Sequence, residues 1–190
     1  MTLGATPASI CNQALEQISA QATITGTNPS FDGTAAGNAA GILYTPAVNL
    51  LLRQQDYEFS RADGALVPSG AAVPFPWGFA YTYAADCMRV RQVYPSTWVA
   101  NDPQPMRWTV QTIAIGGVQK DCILTSAAAN SLCYSTNLVS EAQFDAVFQE
   151  TLVRFLASEF AMALAGRPDF SAKILEQAGA MVGQGAGRDS

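Results

Sequence analysis

The chain contains no histidine. That single absence removes the Ser-His-Asp and Cys-His nucleophile systems together with the commonest zinc ligand. Lysine is nearly absent as well. Lys120 and Lys173 are the two present, and neither has a serine three residues before it, as a Ser-x-x-Lys site requires. No Gly-x-x-x-x-Gly-Lys phosphate loop occurs, and Gly116-Gly117-Val118-Gln119-Lys120 reads as a hairpin tip. The four cysteines, Cys11, Cys87, Cys122 and Cys133, form no Cys-x-x-Cys pair. With no basic leader or apolar signal stretch, they are expected as reduced thiols in a cytosol, buried like small apolar groups. No run of eighteen apolar residues exists, since even residues 152–165 are interrupted by Arg154 and Glu159, so no membrane span is expected.

Charge is scarce too. Charged residues make up 13% of the chain, the balance is −5 with a pI near 4.5, and the first basic residue is Arg53. An acidic surface repels a phosphate backbone, which argues against tight, sequence-independent DNA binding and leaves room for weak contact with moving DNA. What is abundant is apolar surface. At 49% of 190 residues it suffices for a real core in one large or two small domains.

Helical signals occupy both ends. Thr6-Pro7 is a helix start, and Ile10, Cys11, Ala14, Leu15 and Ile18 follow at helical spacing for about three turns. Residues 23–33 form a Thr/Asn/Gly/Pro loop. A second helix is expected over 35–55, with Ile42, Leu43, Leu50, Leu51 and Leu52 inward and Pro46 kinking or splitting it near Tyr44. Gly37, Ala40 and Gly41 are small enough to let another helix approach. Near the carboxyl end, Ser140 with Gln143 fits a capping box for a long helix carrying Phe144, Val147, Phe148, Leu152, Phe155, Ala161 and Met162. Gly166 closes it, Pro168 blocks continuation, and Asp169 caps a last helix to about Met181.

Between the helices the period changes. Residues 57–137 read as four to six strands of a small antiparallel sheet or open barrel, with Gly116-Gly117 as a hairpin turn. Loops are expected at Asp63–Pro76 and Pro95–Pro105. The fold class is therefore α+β: an antiparallel bundle of about four helices from 1–56 plus 139–183, an inserted antiparallel β domain at 57–138, and a flexible tail at 184–190. The stretch Phe75–Pro95 concentrates aromatics. Trp77, Phe79, Tyr81 and Tyr83 supply either the insert's core or a protein-contact patch. Arg89, Arg91 and Arg107 read as a solvated face or as a lining for a DNA channel, with the solvated face preferred. The carboxylate pairs Glu58/Asp63 and Glu150/Glu159 are better read as surface charge than as a glycosidase acid and base.

The ordered elements resemble a known family. Asn12-x-Ala14-Leu15 in the first helix, Tyr57-Glu58-Phe59-Ser60, Trp77-Gly-Phe-Ala-Tyr81, Asp86-Cys-Met-Arg-Val90, Ile123-Leu-Thr125, Tyr134, and Phe144 to Leu164 are similar to the head-to-tail adaptor of short-tailed bacteriophages, the tail tubular protein A type. Tyr57 stands where that family usually has tryptophan, and Ala84 where it usually has proline. The resemblance covers most of the chain. It implies a structural virion protein without catalytic residues, metal or other cofactor, made in the host cytoplasm and located at the virion neck. It further implies a homo-oligomeric ring, typically of twelve subunits, between portal protein and tail nozzle protein, its lumen passing genomic DNA. By the same resemblance the carboxyl-terminal residues Gly183, Gln184, Gly185, Ala186, Gly187, Arg188, Asp189 and Ser190 would reach the portal. A tail-associated polysaccharide hydrolase and a soluble assembly chaperone are the alternatives.

Overall fold

Thr6 and Pro7 start the first helix as their chemistry dictates. The Thr6 hydroxyl accepts from Ser9 N at 3.1 Å, the Ser9 hydroxyl accepts from Thr6 N at 2.9 Å, and Pro7 occupies the first turn. The computed structural model of the protein describes residues 5–95, 106–166 and 168–185. The chain is mixed α/β, with four helices and two antiparallel sheets, and it divides into two compact units: Met1–Gln55 with Val139–Ser190, and Asp56–Leu138. Among the described residues no helix is long and apolar enough to cross a membrane.

The first unit is built by α1 (Pro7–Gln17), α2 (Ala35–Gln54), α3 (Ala146–Ala165) and α4 (Pro168–Gly185), with α3 packing against each of the other three. Phe148, Leu152, Leu156 and Phe160 form its fully buried spine. The face that α2 turns inward includes Leu51 and Leu52, as expected, but neither Ile42 nor Leu50, and Leu43 is half-buried. Ala36, Ala40, Tyr44, Ala47 and Leu51 recur at spacings of four, four, three and four and are buried, whereas Ile42 is 72% and Leu50 41% exposed. Pro46 neither splits the helix nor interrupts its span. Pro46 and Ile42, whose carbonyl loses its partner to the proline, both lie on the exposed side, where water can satisfy that carbonyl.

The small residues of α2 also serve a different neighbour than expected. A Cβ at Gly41 would lie 2.3 Å from the Pro29 carbonyl oxygen, and one at Gly37 2.3 Å from Asp32 Oδ1. The chain's own 29–34 loop, not another helix, takes the space. Asp32 fixes that loop by accepting from Thr34 Oγ1 (2.7 Å), Thr34 N (3.1 Å) and Thr25 N (2.9 Å), and these bonds hold its carboxyl below the usual range.

The carboxyl half departs from expectation at its start. Ser140 and Gln143 do cap a turn, but it is a single 3-10 turn, Glu141–Gln143. The long helix begins afresh at Ala146, where the Asp145 carboxylate accepts from Phe148 N at 2.7 Å. Gly166 closes it in the left-handed conformation, and Pro168 opens the next helix, with Asp169 in its first turn and not at its cap. That helix runs on to Gly185, beyond the expected end at Met181. The helix passes through Gly183, which does not cap it, and each further residue of a formed helix adds a hydrogen bond.

Seven strands, more than expected, build the second unit: β1 (Arg61–Ala65), β2 (Val67–Pro68), β3 (Phe79–Thr82), β4 (Cys87–Pro95), β5 (Trp108–Ile115), β6 (Val118–Thr125) and β7 (Ala129–Thr136). They form two antiparallel sheets in the orders β1-β7-β4 and β2-β3-β6-β5. The region read as one loop from Asp63 to Pro76 therefore begins with strand, and most of the Pro95–Pro105 loop lies outside the described residues. Gly116 and Gly117 have φ of 58° and 82°, the left-handed pair that a two-residue hairpin demands. Tyr81, Val90, Val93, Ile123 and Leu132 share one core, while Ala80, Cys122, Leu124 and Ile113 form a second beneath Ala71, Val73 and Trp77 of the loop before β3. Cys122 through Thr125 are consequently fully buried on both faces of β6.

Gly41→Ala tests the loop seat. The new methyl meets a backbone oxygen that no rotamer change can move, so a loss of about 1–3 kcal/mol is expected in denaturant unfolding. Gly179→Ala on α4, with nothing within 4 Å of its Cβ position, should leave stability equal or slightly higher.

Candidate functional site

The segment singled out for portal docking divides in two. Gly183, Gln184 and Gly185 form the last turn of α4 and are not part of a loose tail, whereas Ala186, Gly187, Arg188, Asp189 and Ser190 lie outside the described residues.

The arginines of the β region have three separate fates. Arg91 is not on a solvated face: its side chain is 7% exposed. The register of β4 against β7 shifts between Val90 and Gln92, which makes Arg91 a bulge residue and re-aims its side chain at the chain entering β1. Its Nε donates to Ser135 Oγ at 2.9 Å, and Nη2 donates to the Tyr57 carbonyl and to Ser60 Oγ at 3.1 Å. Asp56 (3.6 Å) and Glu58 (3.8 Å) supply the countercharge. Arg89 remains half exposed and shares Asp56 at 3.6 Å. Arg107 lies 5.4 Å above the Trp77 ring, a cation–π contact that clamps the loop covering the second core.

Beside Arg89 a cleft of about 370 Å³ opens, lined by Asp56, Tyr83, Met88, Val90, Trp108 and Val110 among others. Its walls are aromatic and aliphatic, with the Asp56–Arg89 ion pair at one side. The aromatic cluster itself is split between the two readings it allowed. Tyr81 is core and its hydroxyl accepts from Ala129 N at 2.9 Å, while Phe79 is 40% exposed and Phe75, in the preceding loop, 97%.

Asp86 is the anchor of the Asp-Cys element. Thr136 Oγ1 donates to it at 2.6 Å and Tyr134 Oη at 3.0 Å, tying the β3–β4 turn to β7. The Thr136 bond foremost holds the Asp86 carboxyl below the ordinary carboxylate range. Burial pushes the Cys87 thiol beside it up to about 11, and Cys11 in α1 up to about 12, so both stay protonated at neutral pH and lack thiolate reactivity. The carboxylate pairs are committed elsewhere: Glu150 bonds Arg154 at 2.9 Å, and Glu58 pairs with Arg91 and, at 4.0 Å, with Arg61.

Two residues gain roles that spacing did not disclose. The Asn12 side chain donates to Ile24 O (2.9 Å) and accepts from Ile24 N (2.7 Å), pinning the first loop to α1. Ser60 is wholly buried under Arg91. A small polar residue closing an aromatic triplet was the available signal for Ser60. For Asn12 the signal was an amide on a helix otherwise turned to the core. Neither a protein-family model nor a curated protein sequence matches this chain.

Arg91→Met should cost about 2–4 kcal/mol, because the Ser60 and Ser135 hydroxyls lose a charged donor inside the fold and Asp56 and Glu58 lose a countercharge. The Tyr57 carbonyl keeps the Ser60 N–H and hydroxyl. Arg91→Lys should recover only part, since an ammonium cannot span the same acceptors. Asp86→Asn should cost about 1 kcal/mol at pH 7. A lowered folded pKa contributes stability that is present above the unfolded value near pH 4 and is lost as pH falls through the folded value. Urea midpoints of Asp86→Asn and the parent chain should therefore converge below about pH 4.

Proposed function

We propose that this chain is a structural virion protein, a head-to-tail adaptor whose copies form a ring of about twelve subunits between portal and tail nozzle. The observation that carries the reading is the apolar surface left open on both units: Ile42, Leu50 and Met162 on the helices, Val67 and Val118 on strands, and Phe75 in the loop before β3, 97% exposed. Side chains of that size, left in water by a free chain, suit a subunit that meets neighbours. The ordered resemblance supplies the kind of assembly. Its Asn12, Ser60, Asp86 and Tyr134 are residues that pin loops and turns here, as a family's recurrent residues do when they maintain a fold.

In this reading the four helices form an antiparallel bundle, and the ring contact is heterologous, one patch of the subunit meeting a different patch on the next. The net charge of −5 makes the lumen acidic or neutral overall, so that the genome slides without sticking. The docking element is the end of α4 from Gly183 together with residues 186–190. Main-chain hydrogen bonds and Arg188 against a portal carboxylate hold that element in place.

Native mass spectrometry of the chain with portal rings, followed by reconstruction of the particle neck, tests the reading. A ring of copies seated on the portal is expected, and one copy per vertex would sink it. Truncation after Gly185 should leave the melting temperature unchanged and weaken portal attachment. Equal attachment by the truncated chain would remove the docking role from the tail.

A further inference from the structure

Four strand edges terminate the two sheets, and three of them are guarded. β1 carries Arg61 and Asp63, β2 is two residues long and ends in Pro68, and β4 is broken by register shifts and carries Arg89 and Pro95. Charge, proline and bulges are the devices that keep an edge from pairing with another chain. β5 has none of them. Its sequence, Trp-Thr-Val-Gln-Thr-Ile-Ala-Ile, holds no charged residue and no proline, and its register against β6 is unbroken from Trp108↔Thr125 to Ile115↔Val118.

The hairpin fixes which main-chain groups remain. A two-residue turn makes Ile115 and Val118 a hydrogen-bonded pair, so Ile113, Gln111 and Thr109 also direct their groups to β6. Trp108, Val110, Thr112 and Ala114 direct theirs outward. Val110, Thr112 and Ala114 are exposed, and no described strand pairs with that edge.

We propose that two free copies of this chain pair through β5, edge to edge and antiparallel, about a twofold axis at Thr112. That axis sets Thr112 against Thr112 of the second copy and Val110 against Ala114 of the second copy. Outward donors then meet outward acceptors, the two Thr112 side chains, each donating its hydroxyl to its own Asp121 at 2.6 Å, flank the axis, and each branched side chain faces a small one. No like charges oppose each other across the seam, which matters for two bodies that each carry −5. Two four-stranded sheets become one of eight strands. The contact is isologous, whereas ring closure needs a heterologous one, so the pairing belongs to the free chain and does not rest on the adaptor reading.

Sedimentation equilibrium of the full chain from micromolar to millimolar concentration reads the pairing directly. A monomer–dimer equilibrium is expected, weakened at least tenfold by Val110→Lys, which puts two cations beside the seam, and unchanged by Val118→Lys on β6. Thr112→Cys should give an oxidant-dependent covalent dimer that the parent chain, its cysteines mostly buried, does not give. Circular dichroism confirms that each variant is folded. A chain that stays monomeric throughout, a dimer indifferent to Val110→Lys, or a Thr112→Cys dimer no more abundant than the parent's overturns the proposal. Rings on the portal without free dimers would overturn it while leaving the adaptor reading standing.

Discussion

A guanidinium taken out of water must be answered on several sides at once, and in the β unit that requirement organises the chain around Arg91. Its charge is met by Asp56 and Glu58, and its donors by a carbonyl at Tyr57 and hydroxyls at Ser60 and Ser135. Those partners come from the turn that enters β1 and from β7, the strand between β1 and β4. The bulge at Arg91 is what points the side chain there. It also lets Val90 and Val93, three residues apart, face the same core, which strict alternation would forbid. A second polar tie, Asp86 to Thr136 and Tyr134, flanks Ser135 and secures the start of β4 against the end of β7. Apolar burial drives the two sheets together. These two clusters hold β4 in its register on β7.

In the helical unit the equivalent constraint is volume. α3 lies against three other helices, and α2, which packs on it, buries Ala36, Ala40 and Ala47 around Tyr44, with Leu51 and Leu52 at its carboxyl end. Tyr44 donates its hydroxyl to Glu141 at 3.2 Å, and burial, ahead of that carboxylate, raises its pKa. A stripe of alanines presents little area per residue, yet it lets backbones come close, and dispersion then comes from many short contacts. On the neighbouring side of α2 the same logic is applied to a loop, since Gly37 and Gly41 leave room for Asp32 and the Pro29 carbonyl.

The sequence made most of this legible where local chemistry decides the outcome. Thr6-Pro7, Gly116-Gly117 and Gly166 act through their own backbone geometry, and each does in the fold what its residue type dictates. On α2 the expectation held for Leu51 and Leu52 and failed for Ile42 and Leu50, because large aliphatics outweigh alanine on any scale of hydrophobicity while Ala36, Ala40 and Ala47 take the inward positions. The strand count was underestimated because β1 is short and polar and β2 is two residues ending in proline, both held by pairing with β7 and β3 instead of by any pattern of their own. Arg91 looked solvated because strict alternation places it beside Arg89. A bulge is a nonlocal event, fixed by the partner strand, and no spacing within β4 announces it. The docking segment was assigned by resemblance, and its first three residues prove to be helix.

Where the fold invests polar and charged groups also says what kind of surface is left. The chain has few charges, and Arg91, Arg154, Asp56, Glu58 and Glu150 are engaged with one another. Much of the remaining exposed surface is therefore uncharged, including Phe75, Ile42 and the edge of β5. Such a surface offers little for steering a small charged substrate into a cleft, since steering needs a concentrated field of one sign. It does suit extended contact with protein, where apolar side chains and open main-chain groups each find a partner and desolvation is inexpensive. An edge without charge and a loop tip bearing phenylalanine solve the same problem by different means. One gives direction through hydrogen bonds and the other gives area.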